Sequence, residues 1–164
     1  MMRADAAARR AFAILFALAF LLSAGMAQAA CDPLRADLRG AWGQARFTVE
    51  LADTPETRAT GLMHRASMPR SVGMLFIYEA PTTASFWMQN TLIPLDMIFV
   101  NPQGRVTHVH HNAIPHDTTP IPGGDNVLMV LEINGGLAQR FGIAEGSELR
   151  HPRLAQDGAL WPCD

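Results

Sequence analysis

The chain has 164 residues, 49% of them hydrophobic, no lysine and a formal net charge of −2. That balance excludes a disordered polyelectrolyte and the basic stripe of a nucleic-acid binder. The length suits one domain with a real core.

The first 30 residues read as a secretory signal peptide. "MMRADAAARR" is a basic start with three Arg, Ala11 to Gly25 is an unbroken apolar run, and "AQA" at Ala27 to Ala29 fits a small-residue cleavage site. The apolar run is short for a membrane span, the alternative being an uncleaved anchor helix. Cleavage before Ala30 or Cys31 gives a secreted, periplasmic chain with no membrane span. The two cysteines, Cys31 and Cys163, then bracket the exported protein. A disulfide between them closes a long loop and stabilises by ~4 kcal/mol in the chain-entropy model. The rival reading, a lipidated Cys31, is disfavoured because Gln28 stands where an apolar residue is needed.

Residues 31–44 read as a polar, glycine-containing lead-in, and residues 45–150 as a single β-rich domain. "ARFTVEL" (45–51) alternates like a half-buried strand, with Phe47, Val49 and Leu51 on one face. Asp53 or Thr54 can cap a short helix that has Pro55 in its first turn and Gly61 at its end. "GMLFIY" (73–78) is a buried strand that Pro81 breaks. "ASFWMQ" and "LDMIFV" are two more strands, parted by "NTLIP". "NPQG" (101–104) is a turn, making Phe99 to His110 a hairpin. Residues 112–125, with three Pro and two Gly, read as a long loop. "NVLMVLEI" (126–133) is a strong strand, "NGGLAQRFGI" a short helix from about Gly135 to Gly142, and "GSELR" a last strand or turn. Residues 151–164 are an irregular tail.

Six or seven short strands, two short helices and no β–α alternation give a mainly β class. The expected architecture is a compact antiparallel β-sandwich or small barrel, monomeric.

Several side chains stand out. In "LDMIFV", Asp96 shares a face with Ile98 and Val100, opposite Leu95, Met97 and Phe99. A carboxylate among apolar neighbours is costly without partners. It is either a structural acceptor for backbone N–H groups of the "NTLIP" turn or an acid in a pocket. Glu132 shares a face with Leu128 and Val130; it either caps the helix that follows or partners Asp96. Trp87, Gln89 and Asn90 set an aromatic face beside amides, the combination a sugar or peptide site uses and also that of a wet turn. His108 and His110, two apart on one strand face, with His116 in the loop, are candidate zinc or copper ligands, although a full ligand set is not visible. The methionines, as in "GLMHRASM", allow a Cu(I) site but more often fill core gaps. No nucleophile elbow or phosphate-cradling glycine loop is present.

The blocks "FTVELADTPETRATGLMHR", "GMLFIY", "FWMQNTLIPLDMIFV", "PIPGG" and "VLEINGGLAQRFGIAEGSEL" follow one another in the order that resembles the family called domain of unknown function 192. The likeness runs from about Ala45 to Arg150. It marks Phe86, Trp87, Met88, Asn90, Thr91, Pro94, Leu95 and Asp96, with Gly61 to Met63 and Glu132, as family positions. The resemblance implies a small, often exported, β-rich protein with no settled activity. The functional expectation is a non-enzymatic periplasmic ligand-binding or accessory module. Its surface is built from Trp87, Gln89, Asn90, Asp96 and Glu132, and its partner is a small molecule, glycan or peptide. The alternative is a metal-binding protein or metal-dependent enzyme using His108, His110 and His116.

Overall fold

The computed structural model describes residues 31–163, so the expected leader and cleavage site lie outside the described residues. Seven strands and two short helices follow in the order β1 (Arg35–Gly40), β2 (Gly43–Ala52), α1 (Pro55–Thr60), β3 (Val72–Phe86), β4 (Leu95–Val100), β5 (Val106–Ala113), β6 (Ile121–Asn134), α2 (Leu137–Phe141) and β7 (Glu148–Arg150). They build one sheet in the order β5-β4-β6-β3-β2-β1-β7. The class is mainly β, as expected. All pairs are antiparallel except β2 with β3, which run parallel across the α1 connection. The sheet curls into a half-barrel whose two ends touch where Arg105 bridges Glu148.

Strand alternation gives the sheet two apolar faces. The enclosed face takes Leu38, Phe47, Leu75, Ile77, Ile98, Met129, Leu131 and Leu149, drawing on every part of the curl, and α2 plugs it with Leu137 and Ala138. The other face takes Met74, Phe76, Leu95, Met97, Phe99 and Val130 and is covered by Leu62, Met68, Met88 and Ile93 from the connecting segments. β4 and the second half of β6 are buried on both sides, which is why their sequences read as continuous apolar runs. Each fully buried Leu, Ile or Met there contributes about 1.5–3 kcal/mol.

Three expectations need correction. The lead-in is part of the domain: Arg35–Gly40 pairs with both β2 and β7, through a tight turn at Ala41–Trp42 that joins the paired Gly40 and Gly43. Pro81 does not end its strand. β3 continues to Phe86 because register shifts between Ile77 and Ala84 absorb the missing N–H, and the strand stops before Trp87. The loop after Asn112 is shorter than read: β5 runs to Ala113 and β6 begins at Ile121. Gly123 lets that ribbon lie on Phe99, where a Cβ would come within 2.2 Å of the ring.

Cys31 and Cys163 form a disulfide, with Cα atoms 5.3 Å apart, tying the ends of the described chain together.

Candidate functional site

Asp96 and Glu132, the two buried acids singled out in the sequence, face opposite sides of the sheet. Asp96 pairs with Ile133 and Met97 with Glu132, so Asp96 points into the enclosed face and Glu132 to the other. The two carboxyl groups do not meet.

Asp96 is fully buried and saturated. Its Oδ1 accepts the N–H groups of Asn112 at 2.7 Å and Gly136 at 2.9 Å, and its Oδ2 accepts that of Ala138 at 2.7 Å. Helix α2 starts on Gly136, which has φ +81° and no side chain to cap with. Asp96 caps the helix from across the sheet, where a capping residue is otherwise required. The donors come from β5 and the α2 turn, not from "NTLIP". The capping role considered for Glu132 belongs to Asp96.

Glu132 is 4% exposed. It opens into a cavity of ≈ 200 Å³ also lined by Arg58, Tyr78, Phe86, Trp87 and Gln89. Burial alone pushes its carboxyl up to about 8, with no hydrogen bond or cation among the described residues pulling it back. The acid therefore keeps its proton at neutral pH. Arg58, the cation of the cavity, is committed elsewhere: Nη1 donates to the Ile77 carbonyl at 2.8 Å and Nη2 to Glu79 at 3.0 Å. Its guanidinium lies 5.2 Å from the centre of the Tyr78 ring. Burial raises the Tyr78 phenol; Arg58 opposes that shift and Glu132 adds to it, so the phenol feels both groups.

Local sequence explains how these groups are placed. Thr54 and Thr57 form a reciprocal cap that sets α1, and with it Arg58 one turn later. Gly61 closes the helix at φ +48°, and a Cβ there would lie 3.1 Å from the Phe76 ring on the cavity wall. The segment from Trp87 to Pro94 is held on both sides: the Asn90 carbonyl accepts from His64 N–H at 2.8 Å, and Met88 N–H donates to the Asp117 carbonyl at 2.8 Å. His64 and Asn90 both have positive φ at that junction. Fixed in this way, Trp87 stays 52% exposed at the cavity mouth.

Of the residues singled out in the sequence, Trp87, Gln89 and Glu132 come together. Asn90 shapes the loop without lining the cavity, and Asp96 lies behind the sheet. Arg58, Tyr78 and Ser85 line the cavity and were not anticipated; Phe86, Thr91 and Gly61 to Met63, marked by the family resemblance, line it too.

The histidines do not converge. His108 stacks on Phe99 and its Nδ1 lies 3.3 Å from Glu145. His110 lines a separate open hollow with His111 and Asp117. Burial, with the charges of His108 and His111, holds the His110 imidazolium below the usual histidine range. His116 lies in the loop at positive φ. Among the described residues no three His, Cys, Asp or Glu side chains are grouped to hold a metal ion.

Comparison with known proteins agrees with this architecture. Residues 38–151 match the family described as uncharacterized ACR, domain of unknown function 192 (DUF192). The chain belongs to the DUF192 family. Among solved structures it is similar to a protein of unknown function from Novosphingobium aromaticivorans, with 45% identity and a TM-score of 0.69, covering 70% of this chain and 82% of that one. It is also similar to a Sinorhizobium meliloti protein named "putative transcription regulator", with 38% identity and a TM-score of 0.69, covering 73% of this chain and 94% of that one. None of the curated proteins matches it. Both structural relatives share the curled sheet, so the fold is that of the DUF192 family.

Proposed function

We propose that this DUF192 protein is an exported, non-enzymatic binding or accessory module. Its site is the cavity between α1, β3 and the Trp87 loop, and its ligand is a small molecule or the tip of a glycan or peptide. The observation that carries this reading is Glu132, a buried acid with no hydrogen-bond partner or counter-ion among the described residues, whose carboxyl opens into a cavity lined in part by aromatic rings. A buried polar group left unmatched is expensive, and such groups gather where a ligand completes them. Trp87 and Gln89 supply the exposed apolar face and directed hydrogen bonding that orient a ligand. Export is supported by the leader pattern and by the Cys31–Cys163 disulfide, which belongs in an oxidising compartment.

The name of the Sinorhizobium relative raises nucleic-acid binding as another reading. The charge distribution opposes it. Arg39, Arg46, Arg58, Arg65, Arg150 and Arg153 are all engaged with carboxylates of their own chain rather than arrayed for phosphates.

The test is an NMR titration of the exported protein with a chito-oligosaccharide and with triglycine. Ligand binding at this site moves the Trp87 indole and Gln89 amide signals while Trp42 and Trp161 stay still. Shifts that appear only at surfaces remote from Trp87 overturn the assignment.

A further inference from the structure

We propose that the cavity takes a primary ammonium group carried on a short apolar stem, as on a small alkylamine or a lysine side chain, with Glu132 as its counter-ion. The inference rests on the pocket reading above and adds the charge of the occupant.

Three features of the cavity select that chemistry. The first is the uncompensated acid. Glu132 is 4% exposed and aims into the cavity, while Arg58 is tied to Ile77 and Glu79 and does not neutralise it. A cation that enters recovers in Coulomb attraction what burial costs the carboxylate. The second is the wall. Leu62, Met63, Phe76, Phe86 and Trp87 surround the acid. Such a lining suits an apolar stem, and aromatic faces attract a cation. A polyol needs many directed partners; Arg58 is already bound to Ile77 and Glu79, which leaves Gln89, Ser85, Thr91, Thr60 and the Tyr78 phenol to supply them beside the acid. The third is size: ≈ 200 Å³ holds a short stem rather than a disaccharide.

Binding is coupled to a proton. In the free protein the Glu132 carboxyl is protonated; when the ammonium enters, that proton leaves to solvent and a carboxylate–ammonium pair forms. No other acid or histidine lines the cavity among the described residues. Arg58 on α1 is bound to the Ile77 carbonyl and to Glu79, and Tyr78 on β3 has its phenol raised. The pH dependence therefore belongs to Glu132. With its carboxyl at about 8, affinity for an alkylammonium, which stays protonated over this range, rises about fifty-fold from about pH 6 to about pH 8 and then flattens.

The experiment titrates the exported protein with n-butylammonium, with the blocked peptide acetyl-Gly-Lys-Gly-amide and with methyl glucoside, following the Trp87 indole signal across that pH range. The expected result is binding of n-butylammonium with the rising profile, proton release seen as buffer-dependent heat, and loss of binding in Glu132→Gln. Binding of the peptide as well identifies the source as a protein lysine; binding of n-butylammonium alone identifies a free amine. If methyl glucoside moves Trp87 and n-butylammonium does not, the pocket stands and the ammonium assignment falls. If no probe moves Trp87, both fall.

Discussion

Asp96 and Glu132 are acids on adjacent strands of one sheet, both buried, and they end in opposite circumstances. Asp96 turns into the enclosed face and accepts three backbone N–H groups. Glu132 turns to the other face and opens into a cavity of mixed apolar and polar lining, with no hydrogen bond to its carboxyl among the described residues. Burial by itself is therefore no guide to role. A saturated carboxylate is a fastening: it spends all its acceptors on its own chain. A carboxyl left without partners costs stability and makes sense where something else completes it.

The contrast can be broken by mutation, and the largest effect falls on the fastening. Asp96→Asn puts an amide N–H against backbone N–H donors and removes the charge from three hydrogen bonds; a loss of about 4 kcal/mol is expected in urea unfolding. A loss near zero would return Asp96 to the candidate ligands.

Glu132→Gln should act in the reverse sense. The unfolded chain releases this proton near 4.5 and the folded protein near 8. The stability tied to the bound proton is thus complete below 4.5 and lost as pH rises to about 8. The substitution removes that slope, so the variant is more stable than wild type by about 3 kcal/mol near pH 7 and equal to it at acid pH. Comparing the two proteins cancels other groups, such as the buried His151, whose lowered imidazole acts with the opposite sign as pH falls. A variant less stable at neutral pH would mean that Glu132 is a fastening too.

A smaller effect sharpens the Asp96 side. Gly136 donates to Asp96 at φ +81°, with open space where a Cβ would go, so Gly136→Ala tests conformation alone. A loss of about 1–2 kcal/mol in unfolding is expected. Smallest of all, Trp87→Ala removes a half-exposed ring and changes stability by about 0.5 kcal/mol or less, while it weakens ligand binding about tenfold or more.

Much of this was legible in the chain. The alternation in "LDMIFV" and "VLMVLEI" placed Asp96 with Ile98 and Glu132 with Val130, and the structure keeps both assignments. What period-2 patterns do not carry is which face of one strand adjoins which face of another, so the two acids could be imagined as a pair until the register set Met97, not Asp96, opposite Glu132. β1 was missed because its inward residues, Ala36 and Leu38, are few and small in a polar segment. The length of β3 was missed because a bulge tolerates Pro81, and bulges leave little trace in sequence. Arg58 and Tyr78 reach the cavity from separate elements, a meeting that exists only once β2 and β3 run parallel with α1 between them. Tyr78 is the single tyrosine of the chain, which gave no hint that it shares a cavity with Arg58 and Glu132.

The most direct measurement is the titration of the Glu132 side-chain carboxyl by carbon-13 NMR in the free protein. An unpartnered acid in this cavity gives a midpoint of about 8, far above its ordinary 4.5. A midpoint close to 4.5 would show a carboxylate already satisfied, and the cavity would lose its claim to be the site.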